Sequence, residues 1–326
     1  RPGRVRRKVR AMTDAVLMVD AVGPQVSVQD AGRPGLMRFG VPWSGPMDRR
    51  AYAAAQAVLG NPAGAAGIEV SLGGLALRCL SGSVGFAVAG GGFILDRAGT
   101  RAGSWTCASL REGERLVIRR GPWGSWCYLA FAGALQTRRW LGSAATHALS
   151  GLGGGALRVG QELTVTDASP VPWPGDFPCP VAARPRQIAR VTMGPQDRFF
   201  CPDTQARFLA GPWAMTDAWD RMGVRLAGPS IAPAGPLDMP SEPVARGSVQ
   251  VAGDGVAAIL LADHQTTGGY PKIATVLDCD LDALVQLRPR QPLRFVAVPP
   301  DEAVRAARAS AAADHRHLQA LGRPRG

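Results

Sequence analysis

The sequence predicts a mainly β protein, a barrel or a sandwich, with a few helices. Strand-length apolar runs recur at residues 75–80, 85–89, 115–119, 128–131, 249–251, 256–262 and 292–298. Gly, Pro and Asp turns separate them at modest spacing, the pattern of an all-β fold more than of βαβ units. The second observation is a stretch with prolines at 170, 172, 174, 178, 180 and 185. So dense a run admits neither a regular helix nor a central strand. Residues 169–186 therefore read as a linker between a lobe at 14–168 and a lobe at 187–300.

Two helices interrupt the β pattern. Residues 47–59 are rich in alanine and stop at Gly60-Asn61-Pro62, with Asp48 in the first turn, where it serves equally as a cap and as a site residue. A second helix is predicted over 301–321, inside a solvated tail that runs to residue 326.

At 326 residues and 46% apolar content the chain can bury two ordinary cores. It has no uninterrupted apolar run of membrane-spanning length. Asp14 and Asp20 break any signal-peptide core behind the basic start, so cytoplasm is expected. Residues 1–13 read as a basic, disordered extension whose first ten residues supply half of the net charge of +12. The remaining arginines are dispersed and not interleaved with aromatics, so nucleic acid is not the predicted partner. Six cysteines without a C-x-x-C pair and four scattered histidines predict buried thiols and no metal. No phosphate-binding glycine loop is present, so no cofactor is predicted through a recognisable motif. A G-x-S-x-G elbow is also missing.

Residues 263–272, Asp-His-Gln-Thr-Thr-Gly-Gly-Tyr-Pro-Lys, stand out because no core asks for them. They follow an apolar run that reads as a buried strand, and paired glycines let backbone N–H groups face a ligand. A plain Gly-Gly turn is the competing reading. Thr hydroxyls and glycine N–H groups can donate to a developing oxyanion, Lys272 can stabilise or move charge, and Asp263 or Asp30 can orient it or accept a proton. Asp30, Asp263, Thr267 and Lys272 are therefore the candidate catalytic residues. The residues expected to contact substrate are Gln29, Arg33, Ser44, Asp48 and Glu69 from the first lobe. From the second come Arg221, Arg225, Gln250, Gln265, Thr266, Gly268, Gly269 and Tyr270. Such polar loops are expected to meet at an interlobe cleft, and the inventory suits a small amide or lactam. Purely structural roles stay open for three groups: an Arg33–Asp30 ion pair, Glu69 satisfying the backbone of Gly73-Gly74, and an Arg225–Asp220 pair.

Further motifs surround these residues in order. They include Ser27-Val28-Gln29-Asp30-Ala31-Gly32-Arg33-Pro34-Gly35, Gly40-Val41-Pro42-Trp43-Ser44-Gly45-Pro46-Met47-Asp48, Ile68-Glu69-Val70-Ser71-Leu72-Gly73-Gly74, Gly194-Pro195-Gln196-Asp197 and Asp220-Arg221-Met222-Gly223. Together with the decapeptide they resemble the biotin-dependent carboxyltransferase-like family over about residues 14–298. The resemblance implies two cyclophilin-like β-barrel lobes. It implies the role of the C subunit in an ATP-dependent 5-oxoprolinase, a hydrolase that opens 5-oxo-L-proline to L-glutamate. The partners so implied are a KipI-like protein and a LamB/YcsF-like protein, with ATP used by the complex and the chain inactive alone. Two different roles also come with the family. One is transfer of a carboxyl group to urea or a related amide from carboxybiotin supplied in trans. The second is a KipA-like, non-enzymatic antagonism of a KipI-type kinase inhibitor. The chain departs from the family pattern where Ala145-Thr146-His147 stands for Ser-Thr-Asp, and where Pro289-Arg290 stands for a Pro-Gly turn.

Overall fold

The computed structural model describes residues 13–234 and 239–322. The basic extension expected over residues 1–13 lies, Thr13 apart, outside the described residues. The fold is mainly β, in two sheet systems.

The first system has eleven strands, all paired antiparallel, between Thr13–Val22 and Gly175–Asp176. Its spine is the pair Ser83–Arg97 and Arg115–Phe131. The short runs seen at 85–89, 115–119 and 128–131 are segments of these two long strands, and the glycines between them mark bends rather than ends. Register shifts at Gly90/Gly92 and Gly92/Ile94. At Gly124, φ is +80° and a Cβ would lie 2.4 Å from the Cα of Gly91, so only glycine lets the backbones cross there.

The second system is a closed seven-stranded barrel from Ile188–Met193 to Pro292–Ala297. These two strands close it in parallel, and the other pairings are antiparallel. Val249, Val251, Ala257 and Ile259 fill its core, and by strand alternation Gln250 and Ala258 face the other way. The proline-rich stretch between the systems is packed rather than free. Gly175–Asp176 forms an edge strand on Thr106–Arg111, and Phe177 meets Trp105 edge-on with ring centroids 5.7 Å apart.

Four α-helices are present among the described residues: α1 (Arg49–Val58), α2 (Pro202–Ala210), α3 (Asp278–Leu284) and α4 (Pro300–Leu321). The Asp48 carboxylate caps α1 by accepting the Ala51 N–H at 2.9 Å. Ala51, Ala54, Ala55 and Val58 recur every three or four residues and bury one face. That face belongs to one apolar cluster holding Trp126 and Tyr128 of the first sheet and Val249, Ile259 and Phe295 of the barrel. A separate cluster, with Leu17, Ile68, Phe86 and Leu129, lies within the first sheet. The two sheet systems thus share a core through α1.

Two further contacts tie α1 in place. Gln286, fully buried, accepts the N–H groups of Ser125 and Trp126 and donates to the Trp126 carbonyl and to Asp48. Helix α4 supplies the second contact; it is exposed along most of its length, with Leu321 its one buried residue among those described. It docks on α1, with Arg50 held 2.7 Å from Asp314 and Leu321 buried. Among the described residues no helix is long and apolar enough to cross a membrane.

Candidate functional site

The predicted residues fall into three neighbouring clusters rather than one open cleft. The first is centred on Arg221, which follows strand Trp213–Trp219 and is 2% exposed. Its guanidinium donates to both Asp263 oxygens at 3.0 and 3.1 Å, to Glu69, and to the Gly45 carbonyl at 2.6 Å. Glu69, fully buried, also accepts the Met47 N–H at 2.8 Å and the Tyr128 hydroxyl at 2.7 Å. The Asp48 N–H in turn donates to the Tyr128 oxygen at 2.8 Å. Burial alone would raise the Asp263 carboxyl, but the charge and hydrogen bonds of Arg221, then the Ala148 N–H, hold it below the usual range. Burial and the neighbouring Asp282 push the Asp48 carboxyl up to about 7, against its bonds from Ala51 and Gln286. This cluster joins residues from both sheet systems and excludes water, so it fixes how the two meet.

The second cluster surrounds residues 143–148. Asp30, 4% exposed, accepts the Ser143 hydroxyl at 2.6 Å and the N–H groups of Gly32, Ala144 and Ala145. Gln29 donates to Ser27 and to the Thr146 carbonyl, and its Oε1 is buried with no donor among the described residues. Arg33 donates to the carbonyls of Trp140 and Ala145 and lies 4.8 Å over the Trp140 ring. The expected Arg33–Asp30 pair is replaced by Arg139, 3.5 Å from Asp30. The Ala148 N–H reaches Asp263 at 2.9 Å and links this loop to the first cluster.

The third cluster holds the rest of the decapeptide, on the outside of the barrel. Lys272 is 2% exposed and its Nζ has no hydrogen bond among the described residues; Glu242 stands 3.8 Å away. Burial pushes the Lys272 ammonium down, with Glu242 opposing. Gln265 donates to Gln250 Oε1 at 3.1 Å, while Gln250 Nε2 is buried without an acceptor. Gln196 accepts the Lys272 N–H at 3.0 Å and donates to Glu242. Gln250, Gln265, Tyr270 and Arg225 line a cleft of about 680 Å³. The Gly-Gly segment is not a free turn, because Thr267–Gly268 pairs in a short ladder with Glu242–Pro243. Thr267 is exposed, Thr266 and Gly269 are half-buried, and the Thr266 carbonyl accepts the Val244 N–H.

The partners of Glu69 and Arg225 also differ from those the sequence suggests. Glu69 serves Met47, Tyr128 and Arg221 rather than Gly73-Gly74. Arg225 lies 3.9 Å from Asp254, while Asp220 accepts the N–H groups of Met222 and Gly223. Several residues of the clusters are not singled out by the sequence as site residues: Tyr128, Gln196, Glu242, Gln286 and Arg246. Gln286 is the most findable of them, as the lone amide within Ala283-Leu284-Val285-Gln286-Leu287.

Residues 39–297 match the family model of the carboxyltransferase domain, subdomains A and B. The chain belongs to this carboxyltransferase domain family. A curated member from Haemophilus influenzae, named as the C subunit of 5-oxoprolinase, is 34% identical over 288 residues, covering 87% of this chain and 92% of that one. The crystal structure of TTHA0988 is 34% identical with a TM-score of 0.77, covering 86% of this chain and 56% of that one. The urea amidolyase of K. lactis is 25% identical with a TM-score of 0.83; the match spans 95% of this chain and 20% of that longer protein. Asp30 and Asp263 each accept several donors and have little accepting capacity left, whereas Lys272 Nζ and Gln250 Nε2 retain unused donors.

Proposed function

We propose that the chain is the C subunit of an ATP-dependent 5-oxoprolinase, converting 5-oxo-L-proline to L-glutamate together with a LamB/YcsF-like partner and a KipI-like partner. The observation that carries this reading is the match to the Haemophilus influenzae protein of that name over 92% of its length. Lys272 supports it. A buried ammonium without a hydrogen-bond acceptor gains most when negative charge develops on an amide oxygen in front of it. The chain is inactive alone in this reading, and ATP is consumed by the complex. The test is 5-oxoproline-dependent ATP hydrolysis by the purified proteins. Activity should require this chain together with both partners; full turnover by the isolated chain, or by the partners without it, refutes the assignment.

A second reading is carboxyl transfer to urea or a related amide from carboxybiotin supplied in trans. The TM-score of 0.83 against urea amidolyase favours it. Urea-dependent loss of the carboxyl group from carboxybiotin, without any 5-oxoproline turnover, would select it over the first.

A further inference from the structure

Exposed large apolar side chains gather on one part of the surface. Among the described residues, five of the twelve that are exposed lie in two short stretches: Phe39 and Trp43 in residues 36–43, and Leu141, Leu149 and Leu152 in residues 138–152. Scattered singly, such residues call for no explanation, whereas a group of them marks an interaction site. Arg33 joins the two stretches. Its N–H donates to the Trp43 carbonyl at 2.9 Å, its side chain donates to the carbonyls of Trp140 and Ala145, and a Cβ on Gly153 would stand 3.1 Å from its Nη2.

The tip that carries Leu149 and Leu152 is held in one shape. The His147 N–H donates to the Leu152 carbonyl and the Gly151 N–H to the His147 carbonyl, both at 2.9 Å, and His147 Nδ1 is 2.8 Å from the Ser150 hydroxyl. At its base the Ala148 N–H is anchored on Asp263 at 2.9 Å. Leucines at 77% and 41% exposure on an ordered loop can be covered with little further loss of chain entropy.

Charge says what covers them. No acidic residue occurs between Asp30 and Asp48, or between Glu114 and Glu162. Asp30 itself is buried and already accepts the Ser143 hydroxyl and the Ala144 N–H. Arg38, Arg138 and Arg139 are exposed beside the apolar residues. An apolar centre with a positive rim is complementary to an apolar face rimmed by carboxylates. Three of the five apolar residues are leucines, and Arg38 lies 4.8 Å over the Phe39 ring, which is a poor platform for stacked bases. Resting on the reading of this chain as one subunit among several, we propose that this surface docks the acidic, apolar-centred face of a partner subunit.

Affinity of the full chain for the purified KipI-like and LamB/YcsF-like proteins, measured by calorimetry at low and high salt, tests the surface. Wild type should bind one of them, more weakly as salt rises. Leu149→Asp combined with Leu152→Asp should weaken that binding by about tenfold or more without lowering the melting temperature. Arg38→Glu should slow association by at least about threefold and flatten its salt dependence. Val181→Asp, which alters a comparably exposed apolar residue in the proline-rich stretch, should change neither. Unchanged affinity in the leucine variant, an equal loss in Val181→Asp, or binding that ignores salt overturns the proposal. So does loss of binding to phosphatidylserine vesicles or to single-stranded RNA in the leucine and Arg38 variants with partner binding intact, which hands the surface to a membrane or a nucleic acid. If the complex turns over 5-oxoproline while these variants bind as tightly as wild type, the surface falls and the activity stands. If wild type binds neither protein, both fall.

Discussion

Replacing Arg221 with Met keeps most of the side-chain volume and removes the charge at the centre of the buried cluster. Glu69 and Asp263, both fully buried, then lose their cationic partner, and the Gly45 carbonyl loses a donor. Breaking one buried pair by removing a partner costs about 3–5 kcal/mol. Two carboxylates share Arg221 here, so the loss should reach at least about 5 kcal/mol at neutral pH, a large part of the roughly 5–15 kcal/mol that holds a typical domain together. The sign of the pH dependence provides a second check. In the wild type the Asp263 carboxyl is depressed, so its contribution is present above the unfolded pKa of about 3.9 and is lost as pH falls through the folded value. In the variant the orphaned carboxylates are raised instead, so protonation relieves them. Urea unfolding of both proteins at pH 5 and pH 8 should therefore show a smaller difference at pH 5. A variant as stable as wild type at pH 8, or one hurt more at pH 5, would refute the view that Arg221 neutralises two buried charges.

Replacing Lys272 with Met should leave the fold intact and lower turnover of the reconstituted complex by about a hundredfold or more, read as 5-oxoproline-dependent ATP hydrolysis; wild-type turnover removes Lys272 from the chemistry. Asp48→Asn should flatten the pH dependence of stability between about pH 4 and 7. A carboxyl raised to about 7 in the folded state contributes stability below its unfolded pKa that is lost as pH rises through the folded value. An unchanged slope in denaturant titrations across that window would assign the proton elsewhere. Arg290 sits at φ +68° on the surface, so Arg290→Gly should raise stability by about 0.5–1 kcal/mol through relief of the left-handed backbone. A lower melting temperature would show that the arginine side chain contributes more than its backbone costs. Gly124→Ala should destabilise by more than about 2 kcal/mol, since its Cβ would meet the Gly91 backbone and the Gln286 side chain; a near-neutral change in melting temperature would mean that the bend gives way easily.

Strands are legible in the sequence where apolar residues cluster, because their periodicity is local. Their joins are not, since Gly90, Gly92 and Gly124 look like turns in the sequence but permit two long strands to bend and cross. The decapeptide is legible as polar density without a core role. Its layout is not, because Asp263 turns inward to Arg221, 42 positions away, while Lys272 is covered from Gln196 and Glu242. Asp48 carries both of its meanings in the sequence, and the cap is the one the geometry displays. Tyr128 opens a family-like run but gives no signal of a site role, sitting in an apolar strand where an aromatic residue is ordinary. The proline run is visible, but that it straps onto the first sheet depends on Trp105 and Thr106–Arg111, which lie far from it in the chain. Arg290 marks the opposite case, a site where the missing glycine can be read directly as backbone strain.

The core that α1 shares between the sheets has a consequence for how the chain is made. Its cap is completed by Gln286, 238 positions downstream, and its polar flank by Asp314, 264 positions downstream. At synthesis rates of roughly 5–20 residues per second, the helix waits on the order of ten to fifty seconds for these partners. Throughout that interval an alanine-rich face and the face of the sheet around Trp126 stand uncovered on the ribosome. The nascent chain therefore spends its most aggregation-prone period before residue 286 emerges, and its yield should depend on chaperones that shield the first sheet until the barrel closes against it.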